Sequence, residues 1–355
     1  MKKALILNRR CMKHPERGGA EIYTMELAKA LIGLGLEVDW FSSRPSGLAG
    51  EEVIEGVRFI RRGNELTTHF YGFLYALKQK DSIIIDEFNG LGFFTFFMKN
   101  SFVLIHQLYD EFWTAELGVI GYPLRFLERL LLRFYRKRPA LTVSASTQKD
   151  LIDLGFKDAT IIFNGLEDDT RTAHARDKDK SLALTYLGRL KKTKNPEDAI
   201  KAFLRVREIV GDARIWIIGD GPLYKLLKHK YGNIEYIHFL GYLSKDERTE
   251  YLMRSHFLLV PSIREGWGQV VIQANAAGTP AIGYDVHGLR DSIQNNETGI
   301  LVRDYQEMAS EIVELWRNED CYKEMCRKAI LWAEGFSWEK TRKSFDAYFR
   351  ARGIV

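Results

Sequence analysis

Two long runs of short apolar segments alternating with helix-period segments constrain this chain more than anything else in it. Residues 4–7, Ala4-Leu5-Ile6-Leu7, read as a buried strand. Residues 21–34 follow, with Ile22, Met25, Ala28, Leu31 and Ile32 at helical spacing. Gly33 and Gly35 stop that helix, and residues 37–41 read as the next strand. Further strands are predicted at 83–85, 102–106, 141–144 and 160–163. The plan then repeats, with strands at 182–187, 214–218, 234–239, 257–260 and 280–284. Strands separated by helices pair in parallel and are covered by those helices, so the chain reads as α/β.

Residues 167–180 carry almost no apolar side chain and read as a solvated linker between the two runs. The expected domains are 1–168 and 176–337, with a helical tail beginning at 338. A length of 355 residues suits two cores rather than one. Doubly wound domains hold ligands at the carboxyl ends of their strands, here facing a shared cleft. The net charge of +5 permits phosphate-bearing ligands and demands no nucleic acid. Three cysteines, Cys11, Cys321 and Cys326, are an odd number without metal spacing. That pattern, a first strand without a signal pattern before it, and the lack of a bilayer-length apolar run imply a cytoplasmic setting.

The stretch from Arg264 to Ala274 holds the strongest chemical signal. Glu265 stands at a strand exit, and Gly266-Trp267-Gly268 lead into a helix. Backbone N–H groups at a helix start attract an anion, and the carboxylate accepts from hydroxyls, which together suit a sugar nucleotide. Gly188-Arg189-Leu190-Lys191-Lys192-Thr193-Lys194 follows the strand at 182–187. Arg189 and Lys194 can clamp a diphosphate, whereas Lys191 and Lys192 are expected to stay solvated. Taken alone, such a run reads first as a solvated basic turn. Gly219-Asp220-Gly221-Pro222 is a tight turn after the strand at 214–218. In the first half, Gly18, Gly19 and Glu21 lie between strand and helix, where Glu21 also complements the helix dipole. His106 ends a strand, where a lone histidine is more often structural than catalytic. No Gly-x-Gly-x-x-Gly follows the first strand, which argues against a dinucleotide enzyme.

These motifs resemble the retaining glycosyltransferases of family 4, the sucrose-synthase-like group. That family carries Glu, seven residues, Glu where this chain has Glu265 and Gln273. The resemblance implies the GT-B fold, two Rossmann-like domains. It also implies a C-terminal helix, residues 338–355, packing back on the first domain. It places Glu265 on the donor sugar, Gln273 on the ribose, and Arg189 and Lys194 on the diphosphate. Gly219, Asp220 and Gly221 would shape the nucleotide cleft, and Leu243 would meet the base. The first-domain glycine loop would contact donor phosphate or acceptor, and His106 the sugar or acceptor. The implied reaction is same-face transfer from a UDP- or GDP-sugar to a hydroxyl acceptor, with no cofactor and no metal. The family's Gly-rich loop with a following acid corresponds to His287-Gly288, where Asp291 fits loosely.

Gln273 keeps rivals open. They are an epimerase or phosphorylase on the same architecture, and a non-catalytic nucleotide-sugar binder. Residues 122–138 add a basic amphipathic segment with Arg125, Arg129, Arg133 and Arg136 on one face. Such a face is usually solvated, and the alternative is peripheral contact with an anionic membrane.

Overall fold

The computed structural model describes residues 2–79, 81–166 and 178–354. Most of the linker read at 167–180 therefore lies outside the described residues. The chain divides into two compact units. One comprises Met1–Trp113, Tyr122–Gly165 and Trp338–Val355; the other comprises Thr114–Gly121 and Leu166–Ser337.

The first unit runs β1 (Lys3–Leu7), α1 (Gly19–Gly33), β2 (Glu37–Ser42), β3 (Glu51–Ile54), β4 (Val57–Arg61), α2 (Thr68–Ala76), β5 (Ile83–Glu87) and β6 (Ser101–Ile105). It continues through α3 (Glu111–Leu117), α4 (Gly121–Tyr135), β7 (Ala140–Thr142), α5 (Ala145–Asp153) and β8 (Ala159–Ile161). The end of α3 belongs to the second unit. The described strands form one sheet in the order β3-β4-β2-β1-β5-β6-β7-β8. All pairs are parallel except β3 with β4. The β3–β4 hairpin escapes the sequence reading. Its first strand, Glu51-Glu52-Val53-Ile54, is an exposed or half-exposed edge with no apolar run.

The second unit runs β9 (Leu182–Leu187), α6 (Pro196–Val210), β10 (Ala213–Ile218), α7 (Tyr224–Tyr231), β11 (Ile237–Gly241), α8 (Lys245–Arg254) and β12 (Phe257–Val260). Then come α9 (Gln269–Ala276), β13 (Ala281–Tyr284), α10 (Leu289–Ser292), β14 (Gly299–Val302), α11 (Tyr305–Arg317) and α12 (Glu319–Ala333). Its sheet is parallel throughout, in the order β11-β10-β9-β12-β13-β14. The strand read at 234–239 begins later, because Ile237 N–H closes a turn onto the Ile234 carbonyl. β14 also goes beyond the sequence reading.

The unbroken apolar runs have a direct explanation. Successive strand side chains point to opposite faces, and helices cover both. Leu182, Leu184 and Tyr186 enter one core with Phe203 of α6 and Ile312 of α11. Ala183 and Leu187 enter the other with Val271 and Ala274 of α9. Each fully buried aliphatic or aromatic side chain contributes about 1.5–3 kcal/mol, so both faces hold the sheet.

α13 (Trp338–Ala351) belongs to the first unit. It buries Thr341, Phe345, Tyr348 and Phe349. Phe345 meets the Tyr23 ring of α1 edge-on at 5.3 Å. The Thr341 hydroxyl donates to the Phe163 carbonyl at 2.9 Å, and Arg342 pairs with Glu26.

Candidate functional site

The strand order of the second unit reverses between β9 and β12, which lie side by side. The loops leaving these strands diverge to opposite faces and leave a crevice at their carboxyl ends. Arg189 and Lys194 leave β9, and Glu265 leaves β12. Lys194 Nζ lies 2.5 Å from Glu265 Oε1, and the Ser262 hydroxyl donates to the same oxygen at 2.8 Å. The Glu265 N–H donates to the His287 carbonyl at 3.0 Å, which ties this loop to the one after β13. Gly268, with φ +85°, caps α9, so the carboxylate stands near the positive end of that helix.

The β9 loop is held from below by the glycine turn. Leu190 N–H donates to the Asp220 carbonyl, and Leu223 N–H to the Leu190 carbonyl, both at 2.9 Å. Gly219 has φ +130°, and a Cβ there would stand 2.0 Å from the Gly188 carbonyl oxygen. Only glycine permits that approach. Asp220 Oδ1 accepts from Gly221 N–H at 2.7 Å, so its carboxylate fixes the turn. Asp220, Gly221, Pro222, Tyr224, Lys225 and Gly241 line an open cavity of about 540 Å³.

One expectation changes, and the surroundings of three further residues are on view. Lys191 is half-buried rather than solvated, whereas Lys192 is exposed. The Trp267 side chain is buried, with its ring 5.2 Å from Phe336, so it packs the unit; its backbone stays beside Gly266 and Gly268. Gln273 is half-buried on α9. Leu243 packs its side chain onto the core that contains Leu258 and Val271.

In the first unit the strand order reverses between β1 and β5. Glu87, the last residue of β5, is buried there and was missed in the sequence. Its one sequence signal is a charged pair, Asp86-Glu87, closing an otherwise apolar strand. Glu87 Oε2 accepts from Asn8 Nδ2 and from the Thr24 hydroxyl, both at 2.6 Å. Glu87 Oε1 lies 3.2 Å from His106 Nε2, at ion-pair distance but off the line of a hydrogen bond. The Tyr23 ring meets the His106 ring edge-on at 5.1 Å. β5 and β6 are neighbours, so this meeting follows from the strand order. Glu21 turns back and accepts from Gly18 N–H at 2.6 Å, which commits that N–H to the protein; Gly19 opens α1. Burial, then repulsion from Glu87, raises the Glu21 carboxyl above the usual range. Replacing Glu87 by Leu strands the Asn8 amide, the Thr24 hydroxyl and His106. We expect unfolding to become easier by about 2–4 kcal/mol. Denaturant unfolding checks this, and a Leu variant as stable as the parent would show that the network contributes nothing.

The basic face of α4 is also revised. Arg125 and Arg129 both pair with Asp110, with Arg129 Nη2 at 2.6 Å from Oδ2. Arg133 and Arg136 are exposed, as are Tyr122, Phe126, Leu127, Leu130 and Phe134. Among the described residues no helix is long and apolar enough to cross a membrane, and no group of three or more His, Cys, Asp or Glu side chains could hold a metal ion.

Two sheets, parallel but for the β3–β4 pair, each with chemistry-bearing loops at its switch point, define the GT-B class. The family model for glycosyl transferases group 1 matches residues 167–332, and that for glycosyltransferase family 4 matches residues 17–170. The chain belongs to the family 4 glycosyltransferases, with the GT-B fold. It is 29% identical over 177 residues to N-acetyl-alpha-D-glucosaminyl L-malate synthase of Bacillus anthracis, across 48% of this chain and 42% of that enzyme. The match thus spans less than half the length of that relative. Sucrose-phosphate synthase of Thermosynechococcus elongatus shares the fold with a TM-score of 0.80 and 18% identity, covering 100% of both chains. An Anabaena protein solved with UDP-glucose aligns with a TM-score of 0.71 and 14% identity, covering 99% of this chain and 100% of that one.

Proposed function

We propose that this chain is a retaining glycosyltransferase that moves a sugar from a nucleoside diphosphate sugar, UDP- or GDP-linked, to an acceptor hydroxyl. The observation that carries the reading is the Lys194–Glu265 contact at the switch point of the second unit. A cation for phosphate and a carboxylate for sugar hydroxyls stand together at the start of a helix. The Anabaena neighbour's complex with UDP-glucose supports this donor class.

In this reading Arg189 and Lys194 take the diphosphate, Gln273 takes the ribose, and Glu265 with the N–H groups of Gly266, Trp267 and Gly268 takes the sugar. The acceptor oxygen bonds to the anomeric carbon on the face that the diphosphate leaves. The acceptor proton passes to the departing phosphate oxygen, so no protein nucleophile is required. The loop cations, in place of a metal, offset the leaving group's charge. His106 contacts a hydroxyl of sugar or acceptor. A narrower part of the proposal is peripheral contact of α4 and the turn after it with anionic membrane through Arg133, Arg136 and the exposed Phe126 and Phe134.

A thermal-shift screen with UDP, GDP, ADP, their sugar conjugates and NAD tests the donor. A ligand bound only by the folded protein raises the melting temperature. Stabilisation by one nucleoside diphosphate and its sugars is expected, and stabilisation by NAD alone would overturn the reading. Lys194→Ala should weaken that nucleotide by about 1.5–3 kcal/mol, the range for a charge-assisted contact. Equal affinity would return Lys194 to a structural role. Gln273 favours one second reading, a binder without transfer. Under it, Gln273→Glu creates activity where the parent has none.

A further inference from the structure

α4 is apolar on both sides. Its inward side sends Leu132 and Tyr135 into a core with Val103, and its outward side carries Tyr122, Phe126, Leu130 and Phe134 at helical spacing. Phe126 is 69% exposed. α2 repeats the arrangement: Gly72 and Ala76 are buried, while Phe70 and Leu74 are exposed, with Phe70 at 61%. The topology sets both helices on one face of the sheet. α2 leads from β4 to β5 and α4 from β6 to β7, both toward the β8 edge, whereas α1 leads from β1 to β2, toward the β3 edge. Right-handed crossovers running in opposite directions cover opposite faces. The register agrees. Leu7 shares a core with Ala76 of α2, and Val103, in line with it two strands away, shares one with Leu132 of α4. Phe102, the preceding residue, points the other way, to Phe349 of α13.

A chain of rings joins α2 to α4. Phe73 of α2 meets Phe97 of the short turn Thr95–Phe97 at 6.1 Å, Phe97 meets Phe96 at 5.7 Å, and Phe96 stacks on Phe134 of α4 at 5.3 Å. The result is one continuous apolar surface whose side chains all belong to the first unit. Folded proteins rarely leave such a surface to water. The charge around it selects the occupant. Lys78 follows α2, Lys99 follows the turn, Arg133 lies in the last turn of α4, and Arg136 and Lys137 lie just beyond. All five are exposed, and none makes an ion pair among the described residues. α2 contains no acidic residue, and the carboxylate of α4, Glu128, is buried. A second copy docked by two-fold symmetry would set cations against cations. An anionic bilayer takes the aromatic side chains at its headgroup boundary and pairs its phosphates with the cations.

We propose that α2, the Thr95–Phe97 turn and α4 form one docking face for an anionic phospholipid bilayer. It takes up the α4 contact of the reading above and adds a second helix, so that Phe70 and Lys78 meet lipid as Phe126 and Arg136 do.

The test is co-sedimentation of the full chain with vesicles of phosphatidylcholine alone and of phosphatidylcholine mixed equally with phosphatidylglycerol. Binding to the mixed vesicles only, weakened by high salt, is expected. Arg133→Gln/Arg136→Gln/Lys137→Gln should lower that affinity about a hundredfold, at about a factor of five per cation. Phe70→Ser/Lys78→Gln should lower it roughly tenfold or more. Parent-like affinity in this second variant overturns the two-helix face and leaves α4 alone. Equal binding to both vesicle types, or to neither, overturns the proposal outright. So does a parent dimer that Phe126→Ser dissociates, which would make the face a contact between copies. Melting curves of each variant confirm a folded protein. The thermal shift with UDP or GDP should match the parent in all of them. Loss of vesicle binding therefore leaves the sugar-nucleotide reading standing, and a parent without any donor shift sinks that reading without touching vesicle binding.

Discussion

Glu265→Ala should reduce sugar transfer by roughly a thousandfold or more while leaving the protein folded. The side chain is the meeting point of the site: Lys194 Nζ and the Ser262 hydroxyl both aim at its Oε1. Those contacts pre-set the carboxylate before any sugar arrives, and a group aimed in advance costs no reorganisation during reaction. The alanine leaves the Lys194 ammonium unbalanced beside Arg189 and Lys191, so the cost falls on the site rather than on either core. Glu265→Gln sharpens the result, since an amide keeps an acceptor oxygen and loses the charge. A partial rate would assign hydrogen bonding to sugar hydroxyls, and a null rate would assign the charge. Initial rates with the donor found by thermal shift, together with melting curves, decide the matter. A rate near that of the parent in Glu265→Ala would sink the site assignment.

Gly288→Ala should be a strongly damaging single-methyl change beside Glu265. Gly288 has φ +77°, where an L side chain is strained. An added Cβ would stand 2.3 Å from the Glu265 carbonyl oxygen and 2.6 Å from its carbonyl carbon. Backbone atoms cannot swing aside as a side-chain end can, so the loop carrying Glu265 must shift. The expected cost is about 2–4 kcal/mol of unfolding free energy, from conformational strain plus overpacking. Donor binding should weaken with it. Gly211 supplies the control, with φ +77° and nothing within 4 Å of its Cβ position. Gly211→Ala should cost only the strain, roughly 1 kcal/mol. Equal losses in the two variants, measured by denaturant unfolding, would show that the contact with Glu265 is not tight.

The sequence determined the layered α/β class of this protein. Continuous apolar strands report burial on both faces, and helix-period segments between them report what covers those faces. It also placed Arg189, Lys194 and Glu265 at strand exits, because a strand's end and a helix's start are set by neighbouring residues. It did not reveal the β3–β4 hairpin, whose exposed edge carries no apolar signal. Only the tertiary structure decided that Lys194 and Glu265, 71 residues apart, touch. That meeting depends on β9 and β12 being sheet neighbours, which no local pattern encodes. The same holds for Glu87 and His106, joined by the pairing of β5 with β6. Lys191 looked like any solvated lysine in a basic turn. In the fold it is half-buried, and the Trp267 ring packs against Phe336. Periodicity records which side of an element is buried, whereas the identity of the neighbour is settled by strand order and packing across the fold.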